Sequence, residues 1–121
     1  MGRTPVNLYR WGKTPRMERV RTSPAPNSKS IDAVAFTVVN ENGLIEPWVK
    51  GRMSGVSCFV KANNIFRGNG KWWVLPSNTH YDDSMLHLYS PDRTHWYWAP
   101  NRDMTLEQYQ QALAAMNKDF Q

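Results

Sequence analysis

The stretch RTHWYWAP, residues 93–100, places a histidine beside three aromatic side chains and closes on a proline. Side chains alternate between the two faces of a β-strand, so His95 and Tyr97 are expected on one face and Trp96 and Trp98 on the other. One pair can then pack beneath a helix while the other pair lines a cleft. The sequence therefore predicts a strand with one buried and one accessible face.

The segment after this strand carries the clearest helix signal in the chain. Thr105 and Gln108 match a capping box, and Met104 can contact Tyr109 as a hydrophobic staple. Apolar residues recur at helical spacing, namely Leu106, Tyr109, Leu113 and Met116. This C-terminal helix is expected to pack on the sheet.

The middle of the chain carries signals for antiparallel strands. Asn42-Gly43 separates AFTVVN from LIEPWV, and Asn69-Gly70 separates NNIF from KWWVLP, which is typical of two hairpins. Two further strands are predicted over residues 85–89 and 95–99, joined by a turn that contains proline and aspartate.

The N-terminal quarter differs in character. A short β-prone stretch over residues 6–11 leads into residues 12–30, which carry three prolines with several Ser and Thr residues and predict a long loop. A short helical turn is predicted over residues 61–66. No internal repeat is present, so residues 1–121 are expected to form one α+β domain that is mostly antiparallel.

Composition narrows the class of protein. The hydrophobic content of 40% is above that of disordered chains, and no apolar run approaches the roughly 20 residues that cross a membrane, so a soluble globular protein is expected. The N-terminus MGRTPVNLYRW lacks the apolar region of a secretory signal, so export by the general route is not expected. The single cysteine, Cys58, suits a reducing cytoplasm.

Positive charge is concentrated near the N-terminus. The net charge is +5, and residues 1–30 contain seven basic side chains against one acidic side chain, Glu18. Such a segment can attract an anion, whether a nucleic acid, a phosphate-bearing ligand or an acidic protein. A solvated basic loop is the alternative interpretation.

Two kinds of site are not supported by the motifs. Neither a Rossmann glycine pattern nor a P-loop is present, and the glycines at residues 68 and 70 are better explained by a turn. His80, Asp82, Asp83 and His87 could form a cluster for a hard metal ion, but their surroundings are typical of an exposed loop. No metal site is therefore expected.

Several positions stand out as candidate ligand-binding residues. Arg10 ends an apolar strand, where a guanidinium either faces solvent or pairs with an anion. Gly55 allows the backbone to approach a ligand closely and Ser57 offers a hydroxyl, with a bulge and a buried serine as the alternative. His95 and Tyr97 together can stack a flat heteroaromatic ligand, with His95 offering a hydrogen bond or a proton, and packing in the core is the alternative.

Several segments in this order resemble a known family. VNLYRWG (residues 6–12), GVSCFVKANNIFRGNGKWWVLP (residues 55–76) and RTHWYWAP followed by MTLEQYQQALAAMN (residues 104–117) look like the compact ADP-ribosyltransferase-like toxins that type VI secretion delivers between bacteria. That family shows a first strand ending in Leu-Tyr-Arg, a Gly-x-Ser-x-Phe segment, a strand ending in apolar-Pro, a Thr-His-aromatic strand and a terminal amphipathic helix.

The resemblance implies a fold and a site. It implies an ADP-ribosyltransferase-like fold whose split antiparallel sheets hold NAD, the substrate, in a cleft without a Rossmann motif. Arg10 would anchor a phosphate or ribose, Ser57 would supply a hydroxyl, and His95 would lie near the nicotinamide ribose. By this resemblance the catalytic residues are Arg10, Ser57 and His95, and the NAD-binding residues are Arg10, Tyr9, Gly55, Ser57 and Tyr97.

The chain departs from that family at one position. Its members usually carry a glutamate on a late strand, and this chain has none between Glu46 and Glu107. Glu107 falls in the first turn of the predicted helix, where the helix dipole already favours an acid. Transfer of ADP-ribose, hydrolysis of NAD and another reaction on the same scaffold therefore all stay open.

The sequence thus leads to three hypotheses. In the first, the protein is an antibacterial toxin that acts in the cytoplasm of a target cell, is delivered by a dedicated secretion system and is neutralised in the producer by an acidic immunity protein. In the second, it is a small basic RNA-binding or RNA-cleaving toxin that uses His95 or His80 as acid or base. In the third, it is a binding module whose aromatic cluster is core.

Overall fold

Short antiparallel strands make up most of the structure, a computed structural model that describes residues 1–24, 26, 30–62 and 68–121. Within these residues ten strands precede one α-helix, α1, and a 3-10 helix. The elements are β1 Gly2–Arg3, β2 Leu8–Gly12, β3 Ala35–Val39, β4 Ile45–Val49, β5 Val56–Phe59, β6 Lys71–Leu75, β7 His80–Tyr81, β8 Leu86–Tyr89, β9 His95–Pro100, β10 Met104–Thr105, α1 Leu106–Ala114 and the 3-10 helix Asn117–Asp119.

The strands form three antiparallel sheets. The largest has five strands in the order β6-β2-β5-β9-β8, a second has the order β10-β4-β3, and β1 pairs with β7. This arrangement confirms the predicted α+β class, with mostly antiparallel sheets and a C-terminal helix.

The five-stranded sheet has one core face and one outer face, and β9 shows the predicted alternation. Trp98 is fully buried, and Trp96 packs against the same core. Their partners on β5 are Val56 and Cys58, which are also buried. His95 and Tyr97 point to the opposite face and are half-buried, so the strand separates packing side chains from accessible ones.

The hairpin predicted at Asn42-Gly43 is present between β3 and β4. The backbone N–H of Asn40 donates to the carbonyl of Leu44, and the Asn40 side-chain oxygen accepts from the N–H groups of Asn42 and Leu44. Gly43 has φ +75°, which glycine adopts without strain. Pro47 is tolerated on the central strand β4 because β10 pairs only with residues 48 and 49.

Helix α1 begins at the predicted capping box. The Thr105 hydroxyl accepts from the backbone N–H of Gln108, and the Gln108 side chain accepts from the backbone N–H of Thr105. Tyr109 and Leu113 on the helix are fully buried, as is Met104 just before it. Tyr109 also donates its hydroxyl to the carbonyl of Trp98, so the helix is fixed to β9.

The long N-terminal loop is held by the C-terminal segment. Met17 is fully buried, and its backbone N–H donates to the Asn117 side chain at 2.9 Å. Asn117 in turn donates to the Glu18 carboxylate at 2.7 Å, and Gln110 donates to the Glu18 carbonyl. Gly12 ends β2, and the described residues between 13 and 30 contain no helix or strand, which agrees with the predicted loop. These contacts give the loop a defined position.

The second predicted hairpin and the predicted helical turn fall partly on residues that the structure does not describe. Strand β6 pairs with β2 in an antiparallel ladder from Leu8↔Leu75 to Gly12↔Lys71. The NNIF half of the second predicted hairpin, and the predicted helical turn over residues 61–66 in all but its first two positions, lie outside the described residues. Among the described residues, no helix is long and apolar enough to span a bilayer.

Candidate functional site

The centre of the candidate site is a split in the five-stranded sheet. Strand β2 pairs with β6 along all of its length, whereas its pairing with β5 is confined to Tyr9 and Phe59. Arg10 fills the split. Its Nε donates to the carbonyl of Pro15 and its Nη1 donates to the carbonyl of Ser57, both at 2.9 Å. These two bonds to backbone oxygens fix the guanidinium in place and leave further N–H donors for a ligand.

Three cavities open along this split and share lining residues. A central cavity of about 460 Å³ and a basic cavity of about 460 Å³ share Arg10, Trp11 and Arg19. An outer cavity of about 370 Å³ shares Arg21 and further residues with the central one. We call the three together the groove; their volumes lie within the usual range of small-molecule sites.

The central cavity is lined by Arg19 and Arg21 from the N-terminal loop and by Asp32, which follows that loop. Arg21 binds Asp32 through a fork of two hydrogen bonds, at 3.2 and 3.1 Å, and its backbone N–H donates to the same carboxylate. Asp32 is 6% exposed, and the ion pair raises the pKa of Arg21. Arg19 is exposed and completes the cationic lining.

The outer cavity gathers polar side chains from β5 and β9. Ser57 and Tyr97 are directly opposite each other in the antiparallel pair, and His95 is opposite Phe59. Ser57, His95 and Tyr97 all line this cavity together with Gly55. The sheet register therefore brings four of the residues predicted from the sequence to one surface, and Arg10 reaches the same strand by bonding the Ser57 carbonyl.

His95 is positioned by the turn before it. Its Nδ1 lies 2.8 Å from the Thr94 hydroxyl and 3.7 Å from an Asp92 carboxylate oxygen. Asp92 accepts from the backbone N–H groups of Thr94 and His95, and these bonds lower the pKa of its carboxyl. The imidazole is 29% exposed, so it is oriented by polar neighbours and still reachable by a ligand.

Gly55 and Tyr9 make packing contacts besides the roles that the resemblance implies for them. Gly55 lines the outer cavity, and its backbone lies close to β9. A Cβ added at this position would lie 2.9 Å from the Trp98 carbonyl carbon. Tyr9 lies on the outer face against Trp72, with ring centroids 6.5 Å apart, and does not line the groove. Gly55 therefore packs closely against β9 while it lines the outer cavity, and Tyr9 lies away from the three cavities. The roles in NAD binding that the resemblance implies for both residues stay predictions.

Cys58 lies directly behind the site on the core face. It is fully buried, and this burial raises the pKa of its thiol, against a smaller opposing effect of the Arg10 charge. A buried, protonated thiol is a packing residue and not a nucleophile.

The acidic residues and histidines considered for other roles are dispersed. Among the described residues, no three His, Cys, Asp or Glu side chains are grouped so that they could hold a metal ion. Asp82 accepts from Ser84 within its own turn, and His87 stacks on Tyr89. Glu107 is exposed in the first turn of α1 and does not line the groove.

Arg19, Arg21 and Asp32 lie in no sequence motif that marks them as site residues. The first two lie in the basic segment that was recognised only by its charge, and Asp32 follows residues with no motif. The ion pair between positions 21 and 32 closes a loop, and no local sequence signal reports such a pairing. Only the three-dimensional arrangement identifies Asp32 as a carboxylate of the groove.

Comparison with known proteins gives no match to a protein-family model, to a curated protein or to a solved structure. The fold is therefore established at the level of a small α+β protein with antiparallel sheets, and the site is interpreted from its own geometry.

Proposed function

We propose that the groove binds NAD and that the protein acts on it as a toxin of the ADP-ribosyltransferase-like class. The observation that carries this proposal is the position of Arg10 at the split between β2 and β5, bonded to the carbonyl of Ser57. Ser57 in turn is the strand partner of Tyr97. An anion-binding guanidinium, a hydroxyl and an aromatic ring thus follow one another along one groove.

The lining of the groove suits the parts of a dinucleotide. Arg10 and Arg19 line the central cavity, where guanidinium groups can bind a pyrophosphate through paired N–H donors. Ser57 can hydrogen-bond a ribose hydroxyl, and Tyr97 with His95 offers aromatic surface for the nicotinamide ring. NAD would then extend from the central cavity into the outer one.

The proposed reaction breaks the bond between nicotinamide and ribose. Positive charge develops on the ribose as nicotinamide leaves, and an acceptor nucleophile or water then bonds to the anomeric carbon. Asp32 is the carboxylate that lines the central and outer cavities, but both of its oxygens already bond Arg21. Transfer and hydrolysis are therefore both compatible with this site.

The toxin class carries further proposals about partners. The protein would be delivered by a type VI secretion system into the cytoplasm of a competing bacterium. In the producing cell an immunity protein would cover the groove. Because exposed Arg16, Arg19 and Arg21 line it, that protein is expected to present an acidic surface.

The test combines binding and toxicity. Calorimetric titration of the purified chain with NAD should show binding that falls at least about tenfold in Arg10→Ala, since bonds to a charged group contribute about 1.5–3 kcal/mol. Ser57→Ala and His95→Ala should reduce NAD loss in bacteria that express the protein. Arg102→Ala removes an exposed arginine that does not line the groove and is the matched control.

The decisive comparison uses folded variants. Each variant is first compared with the wild type by thermal unfolding, because Arg10 also bonds two backbone carbonyls. Absence of NAD binding in the wild type, together with undiminished toxicity of a folded Arg10→Ala variant, would contradict the proposal.

A further inference from the structure

The basic cavity is more cationic than a dinucleotide requires. Its lining contains Arg10, Lys13, Arg16 and Arg19 and includes no carboxylate among the described residues. Arg10 and Arg19 also line the central cavity, where the pyrophosphate of NAD would lie. Lys13 and Arg16 line only the basic cavity. Glu18 is not part of the lining but is close enough to interact with the charges of Arg16 and Arg10. The four cations outnumber this carboxylate, so the cavity can take a second anionic group.

The backbone holds one of these cations toward solvent at a conformational cost. Arg16 has φ +40°, a value that non-glycine residues seldom adopt. Pro15 and Met17 on either side are buried, whereas Arg16 is exposed. The contacts of Pro15 with Arg10 and of Met17 with Asn117 fix both flanks. Strained residues that surrounding contacts hold in place are concentrated at ligand sites.

An aromatic surface borders the cavity. Trp11 lines it and is half-buried, and its ring contacts that of Trp72 with centroids 5.5 Å apart. Further half-buried rings continue across the outer face of the sheet, in the order Trp72, Phe59, His95, Tyr97, Tyr89 and His87. Sites for single-stranded nucleic acid combine these two features, cations for the phosphates and aromatic rings for the bases.

We propose that the basic cavity binds the phosphate backbone of single-stranded nucleic acid, with a base packed against Trp11. An acidic protein would also be attracted by four cations. We favour single-stranded nucleic acid because its repeated phosphates and flat bases match the combination of cations and aromatic rings at this cavity. Lys13 and Arg16 separate this site from the proposed NAD site, because they lie outside the central and outer cavities. Arg10, Trp11 and Arg19 line both the basic and the central cavity.

The experiment measures fluorescence anisotropy of labelled twelve-nucleotide oligouridine and oligodeoxythymidine with the full-length chain. Single strands should bind with a salt dependence whose logarithmic slope is about −2 to −3, the value for three or four phosphate contacts. The double variant Lys13→Gln with Arg16→Gln should bind at least about tenfold more weakly and with a slope reduced by about 1.4. NAD binding by the same variant should be unchanged.

Matched variants distinguish binding at the basic cavity from attraction by the overall positive charge of the protein. Lys50→Gln with Lys118→Gln removes the same charge from two exposed residues away from the cavity and should change the affinity by less than about twofold. Trp11→Leu should weaken binding at least about fivefold, with Trp48→Leu as the control aromatic and Trp11→Phe restoring most of the affinity. Thermal unfolding of each variant identifies those that fold.

Three results would overturn the proposal. One is an equal loss of affinity in both double variants, which would indicate attraction by overall charge. Another is binding of a duplex of the same length as tightly as a single strand. The third concerns a folded Trp11→Leu variant, with polyglutamate as a second probe that stands for an acidic protein. If this variant binds both oligonucleotides and polyglutamate as tightly as the wild type does, the cavity is assigned to an acidic protein.

Discussion

Gly55 shows how a single residue can connect packing with the candidate site. A side chain at this position would meet backbone atoms of β9, with the Trp98 carbonyl oxygen at 3.0 Å and the Ala99 nitrogen at 3.1 Å. Backbone cannot rotate away as a long side chain can, so the strands would have to separate. Ser57 and Tyr97 lie on those same two strands, and the outer cavity depends on their register.

The Gly55→Ala variant is therefore expected to be less stable by about 1–3 kcal/mol, the usual cost of overpacking. Urea unfolding followed by circular dichroism measures the loss. Gly43→Asn is the control, because no atom lies within 4 Å of the position and Asn tolerates its positive φ. A Gly55→Ala variant as stable as the wild type would show that β5 and β9 can separate without cost.

At the scale of elements, the start of α1 is the feature that local sequence specifies most completely. Thr105 and Gln108 form reciprocal side-chain to backbone bonds, both at 3.0 Å. The β3–β4 hairpin is similar, because Asn40 and Gly43 supply the turn chemistry themselves. In both cases the partners lie within a few residues of each other, so a sequence pattern could predict them.

Loss of the cap should destabilise the protein because the helix N-terminus would then have an unpaired backbone donor. Thr105→Ala is expected to lower the free energy of unfolding by about 1 kcal/mol. Gln111→Ala, an exposed substitution within the same helix, should change it by less than about 0.5 kcal/mol. Urea unfolding of both variants measures the two changes in the free energy of unfolding. Equal changes would rule out a special role of the cap.

At the scale of the whole molecule, the N-terminal loop is joined to the C-terminal segment through Glu18 and Asn117. The hydrogen bond from Asn117 is the main cause that lowers the pKa of the Glu18 carboxyl below its ordinary value of 4.5. A carboxyl with a lowered pKa in the folded state stabilises the protein above its ordinary pKa. That contribution is lost as the pH falls through the folded-state pKa.

Glu18→Gln should therefore be less stable than the wild type at pH 7 by about 1 kcal/mol. The amide oxygen of Gln can still accept from Asn117, but a hydrogen bond to a neutral acceptor is weaker than one to a charged acceptor by about this amount. The difference should shrink steadily as the pH falls below 4.5, because the wild-type carboxyl also becomes neutral. Thermal unfolding between pH 7 and pH 3 measures it, with Glu41→Gln on the exposed hairpin turn as control. A difference that stays constant over this range would contradict the assigned role.

Sequence alone determined those features whose interactions are local: the alternation of His95 and Tyr97 against Trp96 and Trp98, the first hairpin and the helix cap. It also identified Arg10, Ser57 and His95 as chemically distinctive. Only the tertiary structure decided that β2 and β5 separate after one residue pair, that Arg21 binds Asp32 beside this split, and that Tyr9 lies outside the groove. The physical reason is that strand pairing and ion pairing between distant residues depend on how the whole chain packs, and no short segment contains that information.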